Sequence, residues 1–274
     1  MTPVRILALD MDDTLLRSDL SISYRTRNAI KQTEKTGVVV VLASGRIPEA
    51  MEQCSRLLGL DKRKGYLVSN NGALIQESHT GNTIYEARMD EETALAVCDL
   101  AIAEGFPVQM YDGDIMFISK QNEYTGKDLR ATGIRQVVVE NFRAMVNDGC
   151  YKLMIPGDPS LLENMEKLIR IYLGKKITIF TSRPYILELV PKDTDKGTAL
   201  AKIAGILRVN ANDVMAIGDS MSDEAMIRWA GLSVAMANAD DRIKEIATIV
   251  TDHTNDDDGV VDVIEKYILN KNSP

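Results

Sequence analysis

The sequence predicts an α/β fold, a doubly wound parallel sheet interrupted by an α+β insert. Three observations carry this expectation. Towards the N-terminus, short aliphatic runs alternate with helical segments, and each run ends in polar residues. From about Tyr85 the texture becomes a mixture of helices and short strands. After Pro191 the alternating texture returns, so two stretches of core flank one insert.

Val4 to Leu9 reads as a buried strand that delivers Asp10, Asp12 and Asp13 at its C-terminal end. A helix follows, with Ser23 as N-cap and Gly37 where a left-handed C-terminal residue is wanted. Val38 to Leu42 is a second strand, succeeded by Ser44-Gly45-Arg46 and a helix to about Leu58. Tyr66 to Ser69 makes a third, ending in Asn70-Asn71-Gly72. Three strands thus end in polar residues at one sheet edge, where open α/β sheets bind ligands.

In the insert, a helix from Asp90 to Glu104 closed by Gly105 precedes short strands around 115–118, 137–140 and 152–155. A second helix, Pro159 to Leu173, starts at Asp158 and stops at Gly174, before strands at 177–181 and 186–190. Beyond Pro191, a capping Thr194 leads into a helix from Lys196. Val214 to Ile217 is a strand ending in Gly218-Asp219, and a C-terminal helix spans Gly259 to Leu269. The acidic run Asp256-Asp257-Asp258 reads as a solvated loop or helix start.

Composition excludes whole classes of function. The 274 residues are 45% hydrophobic and 26% charged, which fits a globular chain of about two domains at roughly 150 residues each. A net charge of −8 leaves no electrostatic footprint for nucleic acid or an anionic membrane. The longest aliphatic run, Val38 to Ala43, is far short of the roughly 20 residues that span a bilayer. No secretory leader is visible, and Cys54, Cys98 and Cys150 have no CxxC spacing, so a reduced, cytoplasmic protein is expected.

The acidic residues carry the chemistry. Asp10 and Asp12 project near one another at a strand end, and Asp219 and Asp223 form a second pair after another strand. Carboxylates that close repel unless a cation balances them. Oxygen donors without neighbouring His or Cys select Mg²⁺. Ser44, backbone N–H groups and the ammonium of Lys196 add what a phosphoryl group needs to neutralise its equatorial oxygens.

Together these residues resemble a known family. Asp10-Met11-Asp12-Asp13-Thr14-Leu15, Ala43-Ser44-Gly45-Arg46, Asn71-Gly72-Ala73, Asp195-Lys196-Gly197-Thr198-Ala199-Leu200, the run from Gly218 through Asp219 and Asp223 to Met226, and Ala235-Met236-Ala237-Asn238-Ala239 occur in the order seen in haloacid-dehalogenase-superfamily phosphatases of the Cof type, whose cap is of subclass IIB. The resemblance spans Leu9 to Tyr267. It implies a Rossmann-like core of residues 1–84 and 191–274, with an inserted cap at 85–190 that sets substrate specificity.

It further implies Asp10 as nucleophile, Asp12 as general acid and base, Ser44 as phosphate-binding hydroxyl and Lys196 as charge neutraliser. Asp10, Asp219, Asp223 and the backbone carbonyl of Asp12 would hold Mg²⁺. Gly45, Arg46, Asn71, Gly72 and Asn238 occupy matching positions beside the substrate, although a loop-fixing role suits Arg46, Asn71 and Asn238 equally. In the insert, Tyr111, Lys152, Arg183 and Tyr185 lie at or near expected strand ends, which makes them candidates to meet a polar leaving group. Asp13 stands where Gly is commonest, Ser222 replaces the usual Asn, and Ala237 replaces a common Gly.

The implied activity is hydrolysis of small phosphomonoesters such as sugar phosphates, with no nucleic-acid or membrane partner. A phosphomutase of the same superfamily, and a non-catalytic or receiver-like phosphate-binding protein, are the alternatives at this point.

Overall fold

The computed structural model describes residues 3–113, 115–127 and 135–269. The chain divides into two compact units, Met1–Tyr85 with Asp195–Pro274, and Glu86–Thr194.

In chain order the strands of the first unit are β1 (Ile6–Leu9), β2 (Val39–Ala43), β3 (Tyr66–Ser69), β4 (Leu74–Glu77) and β5 (Thr83–Glu86). Those of the second unit are β6 (Gln109–Asp112), β7 (Ile115–Ile118), β8 (Arg135–Val138), β9 (Leu153–Pro156), β10 (Ile177–Arg183) and β11 (Ile186–Pro191). The chain then returns to the first unit with β12 (Val214–Gly218), β13 (Leu232–Ala235) and β14 (Ile249–Val250).

The first sheet runs in the order β14-β13-β12-β1-β2-β3-β4-β5. Its strands from β14 to β3 pair in parallel, and β4 turns back antiparallel to β3. Alternate residues of β1 face opposite ways. Leu7 and Leu9 pack with Ile30, Met51 and Ile264 of the helices on one side, whereas Ile6 and Ala8 pack with Leu200, Ile203 and Met226 on the other. Both faces are therefore covered, which is why the parallel strands are apolar throughout.

Register positions the site. Leu9 stands opposite Ile217 on one side and Leu42 on the other, so the chain emerges from three adjacent strands at one level. Asp10, Gly218 with Asp219, and Ala43 with Ser44 follow immediately.

The second unit is a six-stranded sheet in the order β10-β11-β9-β6-β7-β8, antiparallel except for the β7–β8 pair. Leu153, Ile155, Leu187 and Leu189 on one face pack with Val97, Ala101, Leu162 and Ile169 of the helices Glu91–Ala103 and Pro159–Leu173. Met116, Ile118, Met154 and Ile186 form a smaller cluster with Tyr111 and Tyr185.

Several local expectations match closely. Ser23 accepts from the backbone of Thr26, Asp90 from Thr93 and Asp158 from Ser160, each capping its helix. Others need correction. The helix Lys196–Leu207 is capped by Asp195, not Thr194, because Asp195 and Thr198 satisfy one another's backbone N–H groups reciprocally. β4, β5, β6, β13 and β14 go beyond the expectation from sequence, each being a short strand of four residues or fewer. The acidic run Asp256–Asp258 is, as expected, an exposed turn that starts a helix, here Gly259–Tyr267; Asp256 also accepts from the backbone and hydroxyl of Ser18, and Asp258 pairs with Arg17 at 2.9 Å.

Candidate active site

Asp10 leaves β1 in extended conformation, and an irregular turn, Met11–Leu15, follows it. Asp12 keeps an extended backbone, while Asp13 adopts φ +58. Gly adopts that left-handed conformation most readily, and Asp is among the other residues that tolerate it. Asn238 Nδ2 donates to the Asp13 carbonyl at 2.7 Å, and Asn238 Oδ1 accepts from the backbone of Asn255. Asn238 thus ties the turn after the first strand to a distant loop. Asn255 completes the tie by donating to the Leu16 carbonyl at 2.9 Å.

Lys196 begins its helix with almost no solvent exposure, only 1%. Its Nζ donates to Asp10 Oδ1 at 2.5 Å and to Asp223 Oδ1 at 2.7 Å. The Asn70–Gly72 turn packs against the start of the same helix: Gly72 has φ +102, and a Cβ there would stand 2.3 Å from the carbonyl oxygen of Asp195. Only glycine allows that approach.

Asp223 is also fully buried and holds the loop after β12 together. Its Oδ2 accepts from the backbone N–H of Asp219 at 3.1 Å and of Ser220 at 3.0 Å. A Cβ on Gly218 would lie 2.6 Å from the Asp223 carboxyl carbon, so this contact needs glycine too. Ser222 shares a hydrogen bond with Ser220 across 2.9 Å, so its hydroxyl is partnered within its own turn. Thr14 donates from Oγ1 to Asp219 Oδ1 at 2.8 Å. Thr14 lies within the first motif, but spacing along the chain gives no sign of this contact with a residue 205 positions away.

At the neighbouring strand end, Ser44, Gly45 and Arg46 form the turn that leaves β2. Ser44 is buried, and its Oγ accepts from the backbone N–H of Arg46 at 3.2 Å. Asn71, also buried, donates its backbone N–H to the Ser44 carbonyl at 3.0 Å, locking the two turns together. Arg46 grips Asp12 with Nε at 2.9 Å and Nη2 at 2.6 Å. The four carboxylates therefore divide. One oxygen each from Asp10, Asp219 and Asp223 lies within 4.8 Å of the others, while the Asp12 side chain stands with Arg46.

Electrostatics follow from that count. Burial, and next the charge of Asp223, push the Asp10 carboxyl well above its ordinary value against the pull of Lys196. Burial and the charge of Asp223 push Asp219 up to about 7. Burial works against the Lys196 ammonium, but the charges of Asp10 and Asp223 outweigh it and raise its pKa. Three carboxylates facing one ammonium leave surplus negative charge. Hard oxygen donors so arranged fit a divalent cation such as Mg²⁺.

In the second unit, Lys152 is buried and donates to Glu188 at 3.2 Å, which accounts for its charge within that sheet. Tyr111 and Tyr185 are half-buried beside the Met116 cluster.

The description haloacid dehalogenase-like hydrolase fits residues 7–264, nearly the whole chain and every motif above. The chain belongs to that family. This hydrolase is 31% identical over 269 residues to the 5-amino-6-(5-phospho-D-ribitylamino)uracil phosphatase YcsE of Bacillus subtilis, covering 97% of its own length and 96% of the relative. A haloacid dehalogenase-like hydrolase from Bacteroides thetaiotaomicron superposes with a TM-score of 0.86 at 31% identity, over 96% of this chain and 99% of that one. The subclass IIB sugar phosphatase BT4131 shares the fold, with a TM-score of 0.81 at 22% identity over 96% and 99% of the two chains. The hydrolase is an enzyme of the phosphatase type. Among its described residues, no helix is long and apolar enough to cross a membrane.

Proposed function

We propose that this phosphatase hydrolyses small phosphomonoesters with Mg²⁺, through an aspartyl phosphate on Asp10. The observation that carries this reading is the bridge from Lys196 to both Asp10 and Asp223 at the C-terminal edge of the parallel sheet, with Asp12 two residues beyond. A buried ammonium there screens the approach of an anionic phosphoryl group to an anionic nucleophile.

The residues divide the work in two steps. An oxygen of Asp10 attacks phosphorus in line, the bond from phosphorus to the alcohol oxygen breaks, and Asp12 gives its proton to that oxygen. Water then attacks the phosphorus of the aspartyl phosphate, Asp12 takes the water proton, and Asp10 and inorganic phosphate are released. The Ser44 hydroxyl and Lys196 neutralise the equatorial oxygens in both steps. When bound by Asp10, Asp219, Asp223 and the carbonyl of Asp12, Mg²⁺ would supply further charge neutralisation there. Gly45, Asn71 and Gly72 shape the turns beside the phosphoryl site, and Asn238 holds the turn that carries Asp12 and Asp13.

We assign residues 85–190 the role of a cap that chooses the leaving group. The substrate class is a phosphorylated sugar or polyol, a reading supported by the phosphoribityl substrate named for the Bacillus subtilis relative. Three buried free thiols accord with a cytoplasmic location. The decisive experiment is a screen of purified protein against phosphomonoesters with Mg²⁺, measuring free phosphate. Turnover of sugar or polyol phosphates, lost in Asp10→Asn, supports the reading. Activity retained by Asp10→Asn overturns it.

A further inference from the structure

The Asp12–Arg46 pair has a geometry that a phosphate-binding arginine would not need. Both carboxylate oxygens of Asp12 are engaged, one by Nε and one by Nη2. A planar fork holding a planar carboxylate at two points fixes its tilt and its direction. The fork is itself anchored. Arg46 donates its backbone N–H to Ser44 Oγ and accepts from the backbone N–H of Asn70 at 2.9 Å, and its side chain is only 15% exposed. The Asp12 side chain is more open, at 35% exposure, and sits on an irregular turn. The better-anchored partner therefore aims the looser one.

We infer that Arg46 is a positioning residue for the proton-transferring carboxylate, setting the plane and direction of Asp12 rather than binding the transferring phosphoryl group. The inference rests on the assignment of Asp12 as acid and base. It predicts a dependence on the leaving group. An alkoxide must be protonated as it departs, so it needs Asp12 well aimed, while p-nitrophenolate departs with little help.

The test is a double-mutant cycle read as kcat/KM on p-nitrophenyl phosphate and on an alkyl phosphate that the wild-type enzyme hydrolyses. Arg46→Ala should lower kcat/KM about tenfold or more on the alkyl ester and less than about threefold on p-nitrophenyl phosphate, with the alkyl loss mainly in kcat. In an Asp12→Asn background, Arg46→Ala should change either ester by less than about twofold, because the positioned group is already gone. Arg46→Lys should resemble Arg46→Ala, since one ammonium cannot hold two oxygens as the fork does. It carries the same comparison if Arg46→Ala does not fold by circular dichroism.

Equal losses on both esters, with raised KM and persisting in the Asp12→Asn background, would make Arg46 a phosphate ligand and overturn the inference alone. If Asp12→Asn by itself costs both esters equally, the acid–base assignment falls, and the positioning role falls with it.

Discussion

Lys196 Nζ lies 2.5 Å from Asp10 Oδ1 although 186 residues separate them in the chain, and both are buried. The contact neutralises a carboxylate that its surroundings otherwise resist, since burial and the charge of Asp223 both raise the Asp10 pKa. Lys196→Met should destabilise the metal-free protein by about 3 kcal/mol or more in urea unfolding, because it leaves buried carboxylates uncompensated. Asp10→Asn should do the opposite. It removes a repelled charge while keeping an acceptor for Lys196, so it should stabilise the metal-free protein by about 1 kcal/mol even as turnover falls to background. A destabilised Asp10→Asn protein would contradict this account.

Metal removal should separate the two aspartates of the β12 loop. EDTA should abolish activity and Mg²⁺ restore it, with a rise in thermal midpoint on adding Mg²⁺. Asp223 spends its oxygens on Lys196 and on the loop backbone, whereas Asp219 accepts from Thr14. Asp219→Asn should therefore weaken Mg²⁺ binding in calorimetry more than it disturbs the fold, and Asp223→Asn should do the reverse. Thr14→Val should weaken Mg²⁺ binding by about tenfold, as loss of an orienting partner of a ligand does.

Asn238→Ala should loosen the turn after β1. It deletes the hydrogen bond to the Asp13 carbonyl and the one from Asn255, a loss of about 1–2 kcal/mol. Thermal unfolding checks the stability loss, and a kcat decrease larger than any change in KM would show that the turn aims Asp12. A raised KM with kcat unchanged would instead place Asn238 against the substrate.

His253 provides a pH-dependent contact with the C-terminal helix Gly259–Tyr267. Its Nδ1 lies 2.6 Å from Asp262 Oδ2, and that hydrogen bond and charge raise its pKa above 6.5. A histidine raised in the folded state contributes its full stability below the unfolded pKa, and that contribution fades as pH rises through the folded value. An NMR titration should therefore give a midpoint above 6.5. The stability difference between wild type and His253→Gln should be greatest near pH 6 and smaller near pH 9. An unchanging difference would show that the ion pair does not contribute.

Substitutions in the proposed cap should alter preference rather than chemistry. Tyr111→Ala and Arg183→Ala should change the ratio of kcat/KM between two sugar phosphates several-fold while p-nitrophenyl phosphate hydrolysis stays within about twofold. Lys152 is a poorer choice for this test, because its ammonium is buried against Glu188 and its loss would cost stability.

The sequence by itself determined the α/β architecture, because buried parallel strands must be short, apolar and alternated with helices, and those patterns are local. It also placed Asp10, Ser44 and Asp219 at strand ends, since a polar residue directly after an apolar run marks the edge. Helix starts such as Ser23 and Asp158 were readable because a cap bonds within its own first turn. The cap of the helix from Lys196 was not legible: the sequence points to Thr194, and only the reciprocal bond between Asp195 and Thr198 places it one residue later.

Only the tertiary structure decided which carboxylates share a charge and which do not. Asp12 and Asp10 are two residues apart, yet one turns to Arg46 and the other to Lys196. Strand register decided this, by bringing the ends of β1, β2 and β12 to one level and so putting residues from distant parts of the chain within hydrogen-bond reach. Coulombic and hydrogen-bond energies depend on those distances and on burial, and neither is encoded in spacing along the chain.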